Sequence, residues 1–401
     1  MNEDHRIPKT ELDGRILKLQ QYLQQHSIDG ALVVQKADLF YFTGTIQDAH
    51  LFVPADRPPI LMVYKSVDRA RKESTLGLIE PLKGLGRLPE IIRLHCQSSP
   101  RQIGLEFDVL PMRNHLTFQR LFSGVEWVDI SDAIRRIRAV KSAYEIKRIA
   151  IAAELSDQLA AGMSESLREG ITEIELAGQI EALARRLGHQ GIVRMRLWGN
   201  EMFYGHLMAG ESAAVESYLA SPTGGAGIGP AVAQGPGFRK ICCHEPVLLD
   251  YVFACQGYLS DHTRIFSLGD LPDKWVRAHE AMLKIQSMIK KAARPGVVVG
   301  DLYEMAIDLA EDLGYTDHFM GAGGHRVHFI GHGIGTELDE YPFLAKGQQM
   351  RLQKGMVFAL EPKLIFPGQG VVGVENTHVV TENGLRQMGK YPDDITIIHR
   401  V

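Results

Sequence analysis

Cysteine is scarce: four residues in 401 (Cys96, Cys242, Cys243 and Cys255), with no Cys-x-x-Cys pair. That excludes a disulfide framework and a thiolate zinc site. Positive charge is not in excess either. Lys and Arg number 44 against 48 Asp and Glu, a net charge of -4, so there is no overall cationic surface to hold nucleic acid or anionic lipid. Neither partner is expected. No apolar run approaches the roughly 20 residues a membrane helix needs. The opening segment MNEDHRIPKTELDG has neither the apolar stretch nor the cleavage site of a secretory signal. The expectation is a cytoplasmic protein with reduced thiols. What is present is an ordinary globular composition, 45% hydrophobic and 23% charged, and a length that suggests two or three domains at about 150 residues each.

Helical and strand-like runs alternate from the start. Asp13 can cap a helix ending near His26, and strands are expected at Ala31–Val34, His50–Val53, Ile60–Tyr64, Ile103–Phe107 and Glu126–Ile130. Helices are expected at Ser66–Ser74 and Met112–Phe122, the second after Pro111. Ser131–Val140 reads as a connecting segment. Ser142 with Glu145 then forms a capping box that opens a long helix to about Ser164. This pattern places an α/β domain over residues 1–135 and a second domain over 136–401. The second domain carries an internal repeat: Arg168–His189 aligns without gaps on Arg294–Tyr315, matching Gly170 with Gly296, Leu176 with Leu302, Ala184 with Ala310 and Gly188 with Gly314. Two similar halves related by a pseudo-two-fold would place a site where they meet.

The chemistry-bearing residues sit in two apolar hairpins. In PVLLDYVFACQGYLSDHTRIF, a turn centred on Cys255–Gln256 would set Asp250 directly opposite Asp261. In VFALEPKLIFPGQGVVGVENTHVV, Glu361 and Glu375 are symmetric about Gly368. Directly opposed Cβ atoms lie about 4.5–5.5 Å apart, where like charges repel unless a cation compensates them. A metal is the natural one. Between the hairpins lie His318, His325, His328 and His332, the last inside GHGIG, where glycines permit close approach. The Gly224–Gly229 run, by contrast, is followed by Pro230 and lacks the Gly-Lys-Ser/Thr of a phosphate loop.

Taken together, these residues resemble the proline-peptidase group of metallohydrolases: aminopeptidase P, prolidase and, more distantly, methionine aminopeptidase and creatinase. The resemblance extends over nearly the whole chain, including YFTG at Tyr41–Gly44 and the stretch Ile134–Ile149. It implies an α/β (α+β) architecture, with a creatinase-like N-terminal domain followed by a pita-bread domain built on a pseudo-two-fold repeat. It also implies a dinuclear metal centre held by Asp250, Asp261, His332, Glu361 and Glu375. Four carboxylates would neutralise two divalent cations, and such oxygen-rich coordination suits Mn²⁺ or Co²⁺, with Fe²⁺ or Zn²⁺ also possible. Two metals about 3.5–4 Å apart can bridge a water and lower its pKa toward neutrality. In the family's chemistry Glu361 also relays the water's proton, and His328 binds the substrate's carbonyl or tetrahedral oxygen. A homodimer is implied as well.

The substrate-recognising residues depart from the family. Asp339 stands where proline-specific relatives carry a pocket histidine, Gly373 where they often carry arginine, and Ala233 near the place of a third histidine. Lys363, His206, Arg194, Arg196 and Arg239 are candidates to supply the lost positive charge or substrate contact. The function expected is cleavage of an amide bond by an Xaa-Pro dipeptidase or aminopeptidase acting on small peptides. A creatinase-like hydrolase or lyase acting on a small molecule is the enzymatic alternative. A non-catalytic binding protein is the other class to weigh.

Overall fold

In the computed structural model of the chain, which describes residues 6–202 and 204–399, short apolar runs near the N-terminus pair into one sheet. Its strands are β1 (Gly30–Val33), β2 (Ala49–Pro54), β3 (Ile60–Val63), β4 (Ile79–Pro81), β5 (Gln102–Leu105) and β6 (Glu126–Asp129), in the order β4-β3-β2-β1-β5-β6. β1 and β3 are buried along their whole length, as expected for strands covered by helices on both faces. Ala31 and Val33 pack with Ile16, Leu19 and Leu23 of α1 (Lys9–Gln25). Leu32 points the other way, toward Ile92 of a helix at Leu88–Cys96 and Phe118 of a helix at Met112–Leu121. Two further helices, Lys36–Thr43 and Val67–Glu73, complete this set.

Several local features differ from the sequence reading, among them the helix Leu88–Cys96 and strand β4, which it does not contain. Helix α1 starts at Lys9, directly after Pro8, whose ring presets φ for the turn, and not at Asp13. The helix Lys36–Thr43 was not anticipated; it is capped by the Gln35 side chain and closed by Gly44 at φ 75. Ser131–Ala139 is a helix rather than a connecting segment. Ile130, Ala133 and Ile134 are buried along one side, a stripe that the interleaved Arg135, Arg136 and Arg138 obscured.

Within this unit Glu106 is fully buried, and its Oε2 accepts from the backbone N–H groups of Val34 (2.8 Å) and Gln35 (3.1 Å). Burial, and then the neighbouring Asp38 charge, hold its carboxyl well above the usual range. The folded state therefore binds this proton where the unfolded chain, with a carboxyl pKa of about 4.3, has released it. Stability is fully present below that pH and is lost as pH rises toward the folded value, at up to about 1.4 kcal/mol per pH unit. Glu106→Gln keeps an acceptor for the two N–H groups but cannot ionise. Its unfolding free energy is expected to be flatter between pH 5 and 8 than that of the wild type, and higher at pH 8. Chemical denaturation across that range checks this, and an unchanged slope would contradict it.

The chain divides into two compact units, Met1–Arg138 and Ala139–Val401. The second opens on the helix Ala143–Ser166, whose Ser142/Glu145 capping box is complete. The repeat is plain in its geometry. The helices Glu173–Arg186 and Val299–Asp312 are both 14 residues long and fall at equivalent positions of the aligned segments. Each is preceded by a left-handed glycine (Gly170 φ 78, Gly296 φ 92) and followed by another (Gly188 φ 101, Gly314 φ 78). Each half has its own core. In one, Leu176 and Ile180 pack on Leu207 and Leu249. In the other, Leu302 and Ala306, with Ile285 of the helix Asp273–Ala292, pack on Ile330 and Phe358.

The strands of this unit are β7 (Gly205–Ala209), β8 (Val247–Cys255), β9 (Tyr258–Leu268), β10 (Phe329–Gly333), β11 (Glu340–Ala345), β12 (Val357–Leu360), β13 (Lys363–Phe366), β14 (Gly370–Gly373), β15 (Asn376–Thr381), β16 (Gly384–Gln387) and β17 (Thr396–Ile398). They form a sheet β17-β9-β8-β7, a sheet β11-β10-β12-β15-β16 and the hairpin β13-β14.

Candidate metal centre

The β8–β9 hairpin sets the first two carboxylates. Its register pairs Cys255 with Tyr258, Val252 with Asp261 and Asp250 with Thr263, so Asp250 and Asp261 are diagonal neighbours and not directly opposite as the sequence symmetry suggested. The reason is the turn. It lies at Gln256–Gly257, both at positive φ (52 and 85), the backbone of a two-residue type I′ connection that matches strand twist. A shift of two positions keeps both aspartates on one face of the sheet. It also brings Thr263 across from Asp250, where its hydroxyl donates to Glu375 Oε2 at 2.8 Å.

The second pair sits where two hairpin registers meet. Leu360 pairs with Asn376 in β12–β15 and Lys363 pairs with Gly373 in β13–β14, which leaves Glu361 facing Glu375 between them. The Glu375 backbone forms an antiparallel bridge with Thr263 (3.2 and 3.3 Å), stitching β9 to the other sheet. His332, on β10, pairs with Ala359 of β12. Neighbouring strands thus place all five residues around one point.

His332 Nε2 lies 3.5 Å from Glu361 Oε1, 3.7 Å from Asp261 Oδ2 and 3.9 Å from Glu375 Oε1. The ligand atoms of Asp261, His332 and Glu375 all lie within 4.8 Å of one another. A divalent ion binds such groups at about 2.0–2.2 Å, which sets neighbouring ligands about 3–3.5 Å apart, so this set fits one with small adjustment. Asp261 Oδ1 and Glu375 Oε1 are buried without a hydrogen-bond partner, a costly arrangement unless a cation meets them. Burial, then the charges of Glu375 and Asp250, push Asp261 well above the usual carboxylate range. Burial likewise raises Glu375 to about 7, against the pull of Lys363.

Lys363 is the residue whose place the sequence did not disclose. It was a candidate for binding substrate, but its ammonium is enclosed in the carboxylate cluster. Nζ donates to Glu361 Oε2 (2.8 Å), Glu375 Oε2 (2.9 Å) and Asp250 Oδ2 (3.0 Å), and the side chain is 1% exposed. Burial opposes the charge, yet the three carboxylates outweigh it and hold the ammonium well above its ordinary pKa. Burial also opposes the charge on Asp250, and the Lys363 ammonium holds that carboxyl below its usual value.

Above the acids opens a cavity of about 300 Å³, walled by Met195, Leu197, Met202, Leu219, Phe329, Leu338 and Phe343. His328 stands exposed on its rim, and His206 lines it, paired across the strands with Asp250. The His206 ring is buried, its Nε2 has no hydrogen-bond partner, and burial lowers its pKa. Asp339 also lines the cavity, but its two oxygens accept from the backbone N–H groups of Arg196 and Leu197, both at 2.7 Å. It orders that loop and is not free to bind substrate. Arg239 is not in the lining. Its guanidinium grips Glu245 through two bonds of 2.7 and 2.6 Å, so the expected substrate contact is corrected. Among the described residues no Lys or Arg lines the cavity.

Sequence reasoning also missed the groups that brace the acids. Thr377 Oγ1 accepts from the Asp261 N–H (2.9 Å), and Arg264 donates to the Glu375 carbonyl (2.9 Å). The only signal was closeness in sequence to the other acid of each pair, Thr377 to Glu375 and Arg264 to Asp261.

The sequence profile of metallopeptidase family M24 matches residues 147–382, and that of the creatinase/prolidase N-terminal domain matches residues 15–140. The Xaa-Pro dipeptidase of Pyrococcus furiosus is 25% identical over 378 residues, covering 94% of this chain and 97% of that protein. The Xaa-Pro dipeptidase of Lactobacillus helveticus is 27% identical over 392 residues, covering 95% and 98%. In fold, the chain is similar to the Xaa-Pro dipeptidase from Bacillus anthracis, with a TM-score of 0.82 at 22% identity over 96% of this chain and 100% of that one.

Proposed function

The chain belongs to metallopeptidase family M24 and carries a creatinase/prolidase N-terminal domain, and from that premise we propose that it is an Xaa-Pro-type peptidase that prefers short peptides extending beyond the proline. It is a hydrolytic enzyme, and the family implies divalent metal ions. The observation that carries the reading is the convergence of Asp250, Asp261, His332, Glu361 and Glu375 at the floor of an apolar cavity. A divalent cation there supplies Lewis-acid chemistry and makes water acidic enough to attack near neutral pH.

The chain's own groups do the rest. Asp261, His332, Glu361 and Glu375 would hold the cation. Glu361 Oε2 is tied to Lys363 and Oε1 faces His332 at 3.5 Å, so this carboxylate would both help to hold the cation and take a proton from water to pass to the leaving amine. Such acid–base help contributes typically about 10²–10⁴-fold. His328, on the rim, would donate to the scissile carbonyl oxygen. The apolar walls accept a compact side chain such as proline and exclude bulk water. Xaa-Pro dipeptidases among the relatives supply the substrate class. The preference for longer peptides rests on the absence, among the described residues, of a lining Lys or Arg that would pair with a dipeptide's carboxylate.

Mn²⁺ or Co²⁺ is the cofactor that the oxygen-rich ligand set favours. A cytoplasmic setting is supported by four free cysteines, and a homodimer by the family resemblance. Metal-free protein, reloaded with Mn²⁺ or Co²⁺, should hydrolyse Xaa-Pro-Yaa tripeptides with at least tenfold higher kcat/KM than the matching Xaa-Pro dipeptides, and chelation should abolish both activities. Equal or better dipeptide cleavage would refute the preference. Bound metal without cleavage of any peptide would refute the peptidase reading.

A further inference from the structure

We propose that Lys363 is a built-in cation that takes the place of one of the two expected metal ions, so that each chain binds a single divalent ion. The inference rests on the metal-dependent reading of the site given above and deepens it. Six of the cluster's eight carboxylate oxygens divide between two positions. Around the first stand Asp250 Oδ2, Glu361 Oε2 and Glu375 Oε2, all within 3.0 Å of Lys363 Nζ. An ammonium has three N–H donors, and these three acceptors use them all. Around the second stand His332 Nε2, Asp261 Oδ2, Glu361 Oε1 and Glu375 Oε1. Glu361 and Glu375 each give one oxygen to each position, as two carboxylates bridging a pair of cations would. The difference lies in what remains unmet. The first position is saturated by the lysine, whereas the second retains Glu375 Oε1, buried with no partner, and Asp261, which supplies Oδ2 there, has its other oxygen buried and unpartnered as well.

The lysine's aim is set by the backbone. Lys363 lies two residues after Glu361 and directly across β13–β14 from Gly373, itself two residues before Glu375. A Cβ at position 373 would stand 2.7 Å from Lys363 Cγ and 2.8 Å from its Cα, closer than such atoms ever approach. The glycine that replaces an expected arginine is therefore the space through which the Lys363 side chain reaches the acids. Nor can the ammonium readily withdraw. The residue's backbone is fixed by the Met320 N–H bonding to its carbonyl oxygen (3.0 Å), and it adjoins the buried core residues Met320, Leu364 and Val372. Leaving the acids would strand a charge without a partner.

The test is metal stoichiometry, which needs no turnover. Metal-free wild-type protein and the Lys363→Ala and Lys363→Met variants are each titrated with Co²⁺, and bound metal per folded chain is measured by calorimetry and elemental analysis, with circular dichroism to confirm folding. The expected counts are one ion for wild type, two for Lys363→Ala, where both charge and volume are removed, and one for Lys363→Met, where the volume remains. Two ions in the wild type would overturn the inference and leave the metal-dependent reading standing. One ion in a folded Lys363→Ala variant would also overturn it. No bound ion in any of the three proteins would overturn the metal-dependent reading itself, and this inference with it.

Discussion

Replacing His332 with alanine is expected to lower kcat/KM on the best peptide substrate by about 10³-fold or more, because Lewis-acid stabilisation supplies several kcal/mol and each 1.36 kcal/mol is about tenfold in rate. His332 provides the nitrogen of the ligand set, and its Nε2 lies within 3.9 Å of one oxygen from each of Asp261, Glu361 and Glu375. The four acids could still attract a cation, but with one fewer anchor its position relative to the cavity would be loose, and reaction rates are sensitive to misplacement of that kind. The fold should survive. The side chain is 13% exposed and belongs to none of the buried cores. Kinetics at saturating Mn²⁺, with bound metal measured in parallel, check the expectation. Activity within tenfold of the wild type would remove His332 from the ligand set.

Arg264→Met is expected to destabilise the C-terminal unit by about 3–5 kcal/mol, the usual effect of removing one member of a buried charged network. The Arg264 side chain is 2% exposed and lies where β9 bridges to Glu375, just before β15. Its guanidinium donates to the carbonyl oxygens of Thr263 (2.8 Å), Glu375 (2.9 Å) and Tyr391 (3.0 Å) and to Asn376 Oδ1 (2.8 Å), and it pairs with Asp393 at 3.1 Å. Methionine can fill much of the volume but satisfies none of these acceptors. Because Glu375 hangs from the same backbone, metal affinity should fall together with stability. Denaturant unfolding of metal-free protein isolates the stability term, and a loss below about 1 kcal/mol would show that the network is dispensable.

The two predictions differ in how far the sequence alone could support them. His332 was legible because a histidine between glycines, placed between two pairs of acids in apolar strands, has few structural reasons to be there. Arg264 was not. An arginine inside a strand-like run carries no mark of which distant carbonyls it will meet, and all its acceptors but the Thr263 carbonyl lie on a segment more than a hundred residues away. The same limit explains the hairpin error. Symmetry about Cys255–Gln256 paired the two aspartates, but the turn conformation of Gln256–Gly257 moved the register by two positions. The aspartates stayed on one face only because a two-residue shift preserves strand alternation.

The sequence by itself carried the resemblance to the family, through its motifs, together with the α/β alternation, the repeat and five candidate metal ligands, which are residue types that apolar strands otherwise avoid. The tertiary structure decided the charge inside that centre. Lys363 could be read as a surface lysine or as a substrate contact while its surroundings were unknown. The β13–β14 register, with a glycine opposite, directs its ammonium onto three of the four carboxylates. Strand pairing between residues distant along the chain settles which charges meet, and Coulomb interactions in a buried site depend on separations of a few ångströms that sequence spacing does not specify.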